Sequence, residues 1–300
     1  GAVKCWGYNN YGQLGDGTTT ESHVPVQVVG VTSGAQYVSV GESSTFAIIN
    51  GVVKGWGSDS YGNLAKGTNN QGSATPVGAF GLNGSPMQLA MGLNHTCSIV
   101  GDNVQCWGSN SNGQLGDNTV VNHPTPLKVT GVGGVGFLTG AQQIAAGDNH
   151  TCALANGGVY CWGDNTDGQL GEGSNTQSIT PIQVVGVGGV GTLANVQSIA
   201  SGFNHTCALA GGGIYCWGKN INGSLGNGGN VNSNTPVQVL TLTTGVLGIA
   251  AGGEHTCAMK DGSVWCWGYN NKGQLGDSTT VSNNSPVQVK GLGGVGTLAN

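Results

Sequence analysis

The feature that most constrains the fold is a tryptophan-glycine pair that recurs along the whole chain. Successive tryptophans of the series are separated by 50, 51, 55, 55 and 50 residues. A period of this length is typical of repeat architectures, in which each unit buries its apolar face against its neighbours. The pattern predicts six repeats with one core tryptophan each: Trp6, Trp56, Trp107, Trp162, Trp217 and Trp267.

A hairpin that contains the tryptophan recurs in five of the six repeats. In HTCALANGGVYCWG, residues 150–163, Asn156-Gly157 suits a two-residue turn. Folding the flanks back from that turn places Cys152 opposite Cys161, where two cysteines in an antiparallel pair are close enough to bond. The spacing predicts four disulfides, with Cys5 left unpaired: Cys97–Cys106, Cys152–Cys161, Cys207–Cys216 and Cys257–Cys266.

The second repeat supports this pairing by its departure from the pattern. Phe46 and Gly55 occupy its two cysteine positions. Bonded partners are expected to be lost together, as they are here. Four disulfides predict an oxidising compartment, and therefore an extracellular or cell-surface location. The alternative is a cytosolic protein with reduced, buried cysteine pairs.

Each repeat also predicts four short strands and no helix. In the repeat that contains Trp217 they cover 196–201, 205–209, 214–217 and 236–239, and glycine interrupts every apolar series at helical spacing. Four short strands in about 50 residues, repeated, are typical of a β-propeller. We therefore expect an all-β fold, with six blades or with six repeats of a seven-bladed ring.

Composition narrows the choice of partners. Charged residues make up 7% of the chain, all eight basic residues are lysines, and the formal net charge is −5. Nucleic-acid binding needs clustered cations on one face, so we expect no nucleic-acid partner. No apolar run approaches the roughly 20 residues that span a bilayer, so we expect no membrane insertion.

The loops after the tryptophans carry a family resemblance. They read YNNYGQLGDGT from Tyr8, SNSNGQLGDNT from Ser109, DNTDGQLGEGS from Asp164 and YNNKGQLGDST from Tyr269, and PVxV and IAAGxxHTCAL segments follow. These motifs resemble the repeat of the regulator of chromosome condensation family, six times over the whole chain. The resemblance implies a propeller, usually of seven blades. The cysteine-bearing version resembles the family's secreted bacterial members.

The resemblance does not carry over any one activity. Members include a nucleotide exchange factor, whose chromatin contacts need a basic character that this chain lacks. They also include a plant ultraviolet receptor, which would need tryptophan and arginine where Phe203 and Asn204 stand. A bacterial β-lactamase inhibitor of similar architecture has no such disulfides.

The two ends of the chain leave one blade incomplete. Gly1 aligns with Gly212, so the strand that would carry the partner of Cys5 is missing once. We expect residues 1–300 to form a single propeller domain within a longer repeat chain. The alternative is that another chain completes the open blade.

Histidines and acidic residues recur, and each set has two interpretations. Four histidines at the start of the HTC strand suggest a ring of metal ligands or, as we favour, structural groups bonded to neighbouring backbone: His95, His150, His205 and His255. Acidic residues after QLG suggest calcium ligands or turn caps, and we favour caps: Asp16, Asp117, Glu172 and Asp277. Asp164 and Asp167 make the fourth repeat the best calcium candidate, though we expect no cofactor.

These features favour a non-catalytic scaffold or adhesion module. We expect it to bind protein or glycan through the loops 8–22, 109–123, 164–179 and 269–284, because propellers present loops on a rigid body. One alternative is a structural subunit of an extracellular fibre or sheath that self-associates through the open blade. Another is a secreted enzyme acting on polysaccharide, with Glu42 and Glu254 as a carboxylate pair.

Overall fold

A computed structural model describes residues 1–68, 71–82 and 84–298, so the last two residues of the predicted domain lie outside it. The described residues form twenty-two β-strands and three short 3-10 turns. The strands are β1 Lys4–Gly7, β2 Ser22–Gln27, β3 Ala35–Val40, β4 Ser44–Ile49, β5 Val52–Gly57, β6 Ser73–Gly78, β7 Pro86–Met91, β8 His95–Val100, β9 Asn103–Gly108, β10 His123–Lys128, β11 Ala141–Ala146, β12 His150–Ala155, β13 Gly158–Gly163, β14 Ser178–Gln183, β15 Val196–Ser201, β16 His205–Ala210, β17 Gly213–Gly218, β18 Ser233–Gln238, β19 Val246–Ala251, β20 His255–Lys260, β21 Ser263–Gly268 and β22 Asn283–Gln288.

The strands form one antiparallel sheet per repeat, in chain order. The first sheet contains β1 and β2 alone, and the other five have four strands each, β3–β6, β7–β10, β11–β14, β15–β18 and β19–β22. Each four-stranded sheet is a meander, since consecutive strands are neighbours. The prediction of an all-β propeller fold with four-stranded repeats is confirmed.

The hairpin register is the predicted one. Cys152 pairs with Cys161 and Ala155 pairs with Gly158. Asn156 has a φ of 50°, which the left-handed turn requires. Four disulfides join the cysteines as the spacing predicts, with Cα–Cα distances of 4.0–4.1 Å, and Cys5 is a free thiol.

Two details of the secondary structure were predicted wrongly. The outer strand β18 begins at Ser233, three residues before the predicted start at 236. Proline at its fourth position is tolerated because β18 is the last strand of its sheet and has a free edge. The glycine-rich connections also contain 3-10 turns that the sequence did not indicate, at Val132–Gly134, Val187–Gly189 and Leu292–Gly294.

Tryptophans form the centre of the core, with one exception. Five of the six are fully buried: Trp56, Trp107, Trp162, Trp217 and Trp267. Trp56 Nε1 donates to the Gln13 carbonyl at 2.9 Å, so the preceding repeat covers the indole. The prediction of a core role for Trp6 is wrong, because this side chain is 62% exposed.

An aromatic ring replaces the disulfide in the second repeat. Phe46 is fully buried, and its ring lies 5.8 Å from that of Trp107 in an edge-to-face arrangement. A Cβ at Gly55 would come within 2.5 Å of the Phe46 ring. The two positions are therefore matched in volume, because the ring occupies the space that a side chain at Gly55 would need.

The chain divides into two compact units. One comprises Gly1–Ile144 with Ile179–Pro181, and its cores include Trp56 and Trp107. The other comprises Ala145–Ser178 with Ile182–Asn300, and its cores include Trp217 and Trp267. A single domain over 1–300 stays a prediction. Within the described ranges, no helix has the length and apolar character needed to cross a membrane.

Candidate functional site

The predicted binding loops all leave their sheets at the same end. In a meander of four antiparallel strands, successive connections alternate between the two ends of the sheet. The turn 147–149 and the long loop 164–177 therefore share one end, which we call the loop end. The hairpin turn 156–157 and the connection 184–195 share the other, which we call the turn end. The loop end of each sheet is a candidate functional site.

A buried asparagine holds the backbone of nearly every loop. In the fourth repeat, Asn165 Nδ2 donates to the carbonyls of Ser174 and Thr176 and to Glu172 Oε1, and the Leu170 amide donates to Asn165 Oδ1. Equivalent residues are likewise fully buried: Asn9, Asn110, Asn220 and Asn270. They were not among the predicted site residues. The available signal was an asparagine three residues after the tryptophan in five of six repeats.

The acidic residues after QLG cap the same loops. Asp117 Oδ1 accepts hydrogen bonds from the Thr119 amide at 3.0 Å and from the Thr119 hydroxyl at 2.9 Å. At Asp277, burial alone would raise the pKa, but hydrogen bonds from Thr279 hold that pKa below its ordinary value. The turn-cap interpretation therefore accounts for these carboxylates.

The two candidate calcium ligands of the fourth repeat make separate contacts. Asp164 accepts hydrogen bonds from the Thr166 amide and from Gln169 Nε2. Asp167 Oδ1 accepts from Asn232 Nδ2 at 2.8 Å. Among the described residues, no group of three or more histidine, cysteine or acidic side chains is placed to hold a metal ion.

In the second repeat, an ion pair takes the place of the buried asparagine and the acidic cap found in other repeats. Asp59 takes the asparagine position and Lys66 takes the acidic position. Lys66 Nζ lies 3.2 Å from Asp59 Oδ2, and the Asp59 side chain is fully buried. Burial raises the pKa of Asp59, opposed by hydrogen bonds from the Leu64 amide and from Lys66. The two substitutions are complementary, because a buried carboxylate needs a cation in place of a second acid.

The recurrent histidines bridge neighbouring repeats. His150 Nε2 shares a hydrogen bond of 2.9 Å with Thr206 Oγ1, and His205 Nε2 shares one of 2.8 Å with Thr256 Oγ1. For these two residues the structure shows a hydroxyl partner from the next repeat, whereas we expected neighbouring backbone. Desolvation, with a smaller contribution from the charge of His255, lowers the pKa of His205 to about 4. Desolvation also lowers the pKa of His95 to about 4.

Few ionisable side chains at the loop end break the repeat pattern. Glu254 accepts from Lys219 Nζ at 3.0 Å and from Asn222 Nδ2 at 2.9 Å. Its carboxylate therefore belongs to a local ion-pair network. His123 lies 3.4 Å from Asp117, beside another loop of the same kind.

Asparagines also bridge the outer edges of adjacent loops. Asn234 Nδ2 donates to the Gly173 carbonyl at 3.1 Å and to Asn175 Oδ1 at 3.0 Å, which ties the fifth repeat to the fourth. Asn284 Nδ2 makes the same two contacts to Gly228 and Asn230 of the fifth repeat. These amide bridges close the groove between neighbouring loops.

Comparison with known proteins gives a consistent family. The model of the regulator of chromosome condensation (RCC1) repeat matches residues 1–48, 102–154, 156–209, 211–259 and 261–298. The chain is 29% identical to the ultraviolet-B receptor UVR8 of Arabidopsis thaliana over 241 residues, 79% of this chain and 53% of the receptor. It is 31% identical to the probable E3 ubiquitin-protein ligase HERC4 of Homo sapiens over 240 residues, 79% of this chain and 17% of that protein.

Solved structures agree on the fold. Yeast RCC1 (Prp20), in a crystal structure with Kap60, has a TM-score of 0.81 at 20% identity, covering 97% of this chain and 71% of that one. Human WBSCR16 has a TM-score of 0.80 at 23% identity, covering 94% and 75%. The chain spans about half the length of UVR8 (53%) and about a sixth of the length of HERC4 (17%).

Proposed function

Because the chain belongs to the regulator of chromosome condensation (RCC1) repeat family, we propose that it is a non-catalytic extracellular propeller that binds a protein or glycan partner through its loop ends. The disulfides support the location, since cross-strand cysteine pairs persist in oxidising compartments. They also crosslink the two middle strands of their sheets, from which the loops extend.

One observation carries the proposal: the loop backbone is constant while the side chains that it presents vary. The buried asparagine and the leucine amide form the same hydrogen bond in repeats one, three, four, five and six. The residue four positions after each tryptophan is exposed in every repeat and nevertheless changes: Asn10, Ser60, Ser111, Thr166, Ile221 and Asn271. A fixed frame with variable side chains is what a binding surface requires.

The family supports a scaffold rather than an enzyme. The chain matches only 17% of the human ligase, so ligase activity is not carried over to it. The receptor and the ligase have different activities by their names, and what they share with this chain is the repeat. A shared fold with unlike functions supports a presentation role for the propeller itself.

The test uses the oxidised protein on arrays of extracellular proteins and glycans. We expect saturable binding that Asp164→Ala or Lys219→Ala weakens, because both residues lie at the loop end. Val190→Ser is the matched control at the turn end, where its side chain is exposed. Binding that only the turn-end variant abolishes, or no binding at all, would contradict the proposal. Reduced cysteines in protein taken from its native host would contradict the extracellular location.

A second candidate function is self-association through the first sheet. Among the described residues, strand β1 pairs with β2 alone, and Trp6 within β1 is 62% exposed. An open edge with an exposed aromatic ring favours pairing with another chain. Sedimentation at rising concentration tests this: growth that Trp6→Ser removes supports a structural subunit, and a constant monomer rejects it.

A further inference from the structure

A cleft of about 370 Å³ opens between the loops of the first and second repeats. It lies within the unit Gly1–Ile144. Ligand pockets of small molecules begin at about 300 Å³, so this volume suits one or two monosaccharide-sized rings. The lining residues are Asn10, Tyr11, Thr19, Ser58, Asp59, Ser60, Gly72 and Ala74.

The cleft is open because two bridging side chains are missing. Asn232 and Asn234 of the fifth repeat reach across to the loop of the fourth, where they contact Asp167 and Asn175. The equivalent positions of the second repeat, one residue before β6 and its second residue, are Gly72 and Ala74.

The backbone approach is nevertheless the same at both places. The Gly17 amide donates to the Ala74 carbonyl at 2.9 Å, and the Gly173 amide donates to the Asn234 carbonyl at 2.9 Å. The opening at the first groove therefore comes from side-chain truncation and not from a displaced strand.

Aromatic rings flank the open cleft. Tyr11 lines it and is 51% exposed, and Tyr8 beside it is 53% exposed. Their ring centroids are 6.3 Å apart at an interplanar angle of 65°. Asn10 Nδ2 donates to the Tyr8 hydroxyl at 2.7 Å, which holds that ring in place. Two ordered phenol rings provide a flat apolar surface with polar edges.

The cleft offers hydrogen-bonding groups without accessible charge. The one ionisable acid in its lining, Asp59, is fully buried and paired with Lys66 at 3.2 Å. The remaining polar groups are hydroxyls and one amide, at Thr19, Ser58, Ser60 and Asn10. Such groups match ligand hydroxyls, which both donate and accept, whereas an ionic ligand would find no counter-charge.

We propose that this cleft binds a neutral oligosaccharide, which deepens the proposed function and rests on it. The apolar C–H face of a sugar ring lies on Tyr11, and its hydroxyls exchange hydrogen bonds with Asn10, Thr19 and Ser60. Tyrosine with serine, asparagine and glycine is also the composition of adaptable recognition loops, because tyrosine adds contact area at low entropic cost.

The experiment is calorimetric titration with neutral hexasaccharides: cellohexaose, maltohexaose, mannohexaose, xylohexaose and chitohexaose. We expect at least one to bind saturably, and an oligogalacturonate of the same length to bind at least about tenfold more weakly because it is charged. Tyr11→Ser removes the stacking surface and is expected to weaken binding about tenfold or more.

Two further variants separate the site from the fold. Ala74→Asn restores the bridge to Gly17 and Thr19 and fills the cleft, so it is expected to abolish binding while keeping the thermal midpoint. Tyr61→Ser is the matched control, since Tyr61 has the place of Tyr11 in the next loop, is 40% exposed and lies outside the lining. It is expected to leave affinity unchanged.

The outcomes separate the two proposals. If no neutral hexasaccharide binds, or if the charged probe binds best, the ligand class is wrong. If Tyr61→Ser weakens binding as much as Tyr11→Ser does, or Ala74→Asn leaves it intact, the site is wrong. In each case, loop-end binding to a protein on the array would still support the scaffold function. Absence of any loop-end binding on the arrays would contradict both the scaffold function and the oligosaccharide site.

Discussion

The exchange of an asparagine and an acid for Asp59 and Lys66 gives the sharpest test of how the loops are held. Asp59 Oδ2 lies 3.2 Å from Lys66 Nζ, with side-chain exposures of 0% and 23%. Removing one partner of a buried ion pair costs about 3–5 kcal/mol, because the other charge stays buried and unpaired. We expect Lys66→Met to lower the free energy of unfolding by about 3 kcal/mol, at the lower end because water reaches the lysine.

The double variant Asp59→Asn/Lys66→Asp rebuilds the arrangement of the first, third and sixth repeats. Lys66→Asp alone places two carboxylates together and is expected to cost more than Lys66→Met. Together the two substitutions are expected to return stability to within about 1 kcal/mol of the parent, a coupling well above the roughly 0.5 kcal/mol of independent sites. Urea unfolding followed by tryptophan fluorescence measures all four corners of the cycle.

The reverse exchange, made in the third repeat, serves as the control. Asn110→Asp with Asp117→Lys installs the ion pair in the third repeat, where Asn110 Nδ2 donates to Asp117 Oδ1 at 2.9 Å. Each single change is expected to destabilise more than the pair does. Additive effects at both repeats, within about 0.5 kcal/mol, would refute the complementarity argument.

Three further predictions concern the core. First, burial lowers the pKa of His205 to about 4. The unfolded chain therefore binds the extra proton between about pH 6.5 and pH 4, and stability falls as pH falls through that window, by roughly 3 kcal/mol for this residue. Equal urea midpoints at about pH 7 and about pH 4.5 would contradict this. Second, alanine at both Cys152 and Cys161 opens a loop of about ten residues, with an expected cost of about 3 kcal/mol. An unchanged thermal midpoint would show that the crosslink adds no stability. Third, Trp217→Ala is expected to cost about 4 kcal/mol, whereas Trp6→Ala at a 62% exposed site is expected to cost under about 1 kcal/mol. Similar losses for both tryptophans would contradict the burial argument.

Most of the fold could be predicted because its determinants are local and repeated. The turn dipeptide and the nine-residue spacing define the register of Cys152 with Cys161 without knowledge of the rest of the chain. The partner of His205 could not be predicted, because Thr256 lies 51 residues away and the contact depends on how two sheets face each other. The exposure of Trp6 was missed for the same reason, since Trp56 and Trp217 are each covered by a loop of the preceding repeat, 43 and 48 residues away.

The candidate site was only partly predictable. The loop ends could be located from the motif, but the cleft beside Tyr11 depends on what is absent at Gly72 and Ala74. The small residues at those positions indicate an open cleft only because the structure shows Asn232 and Asn234 bridging the equivalent groove. The sequence shows that asparagine is replaced by small residues at these positions. It does not show that an asparagine side chain is long enough to cross the groove.

The way each indole is covered has a consequence for cooperativity. Trp107 donates to the Asn63 carbonyl, and Trp267 to the Ser224 carbonyl, so in both units a repeat completes the core of the one that follows it. Stability then resides in interfaces between consecutive repeats as much as in the repeats themselves, as in a one-dimensional chain of coupled units. Local opening of one repeat should therefore raise the hydrogen-exchange rate of its successor more than that of its predecessor, which gives unfolding a direction along the sequence.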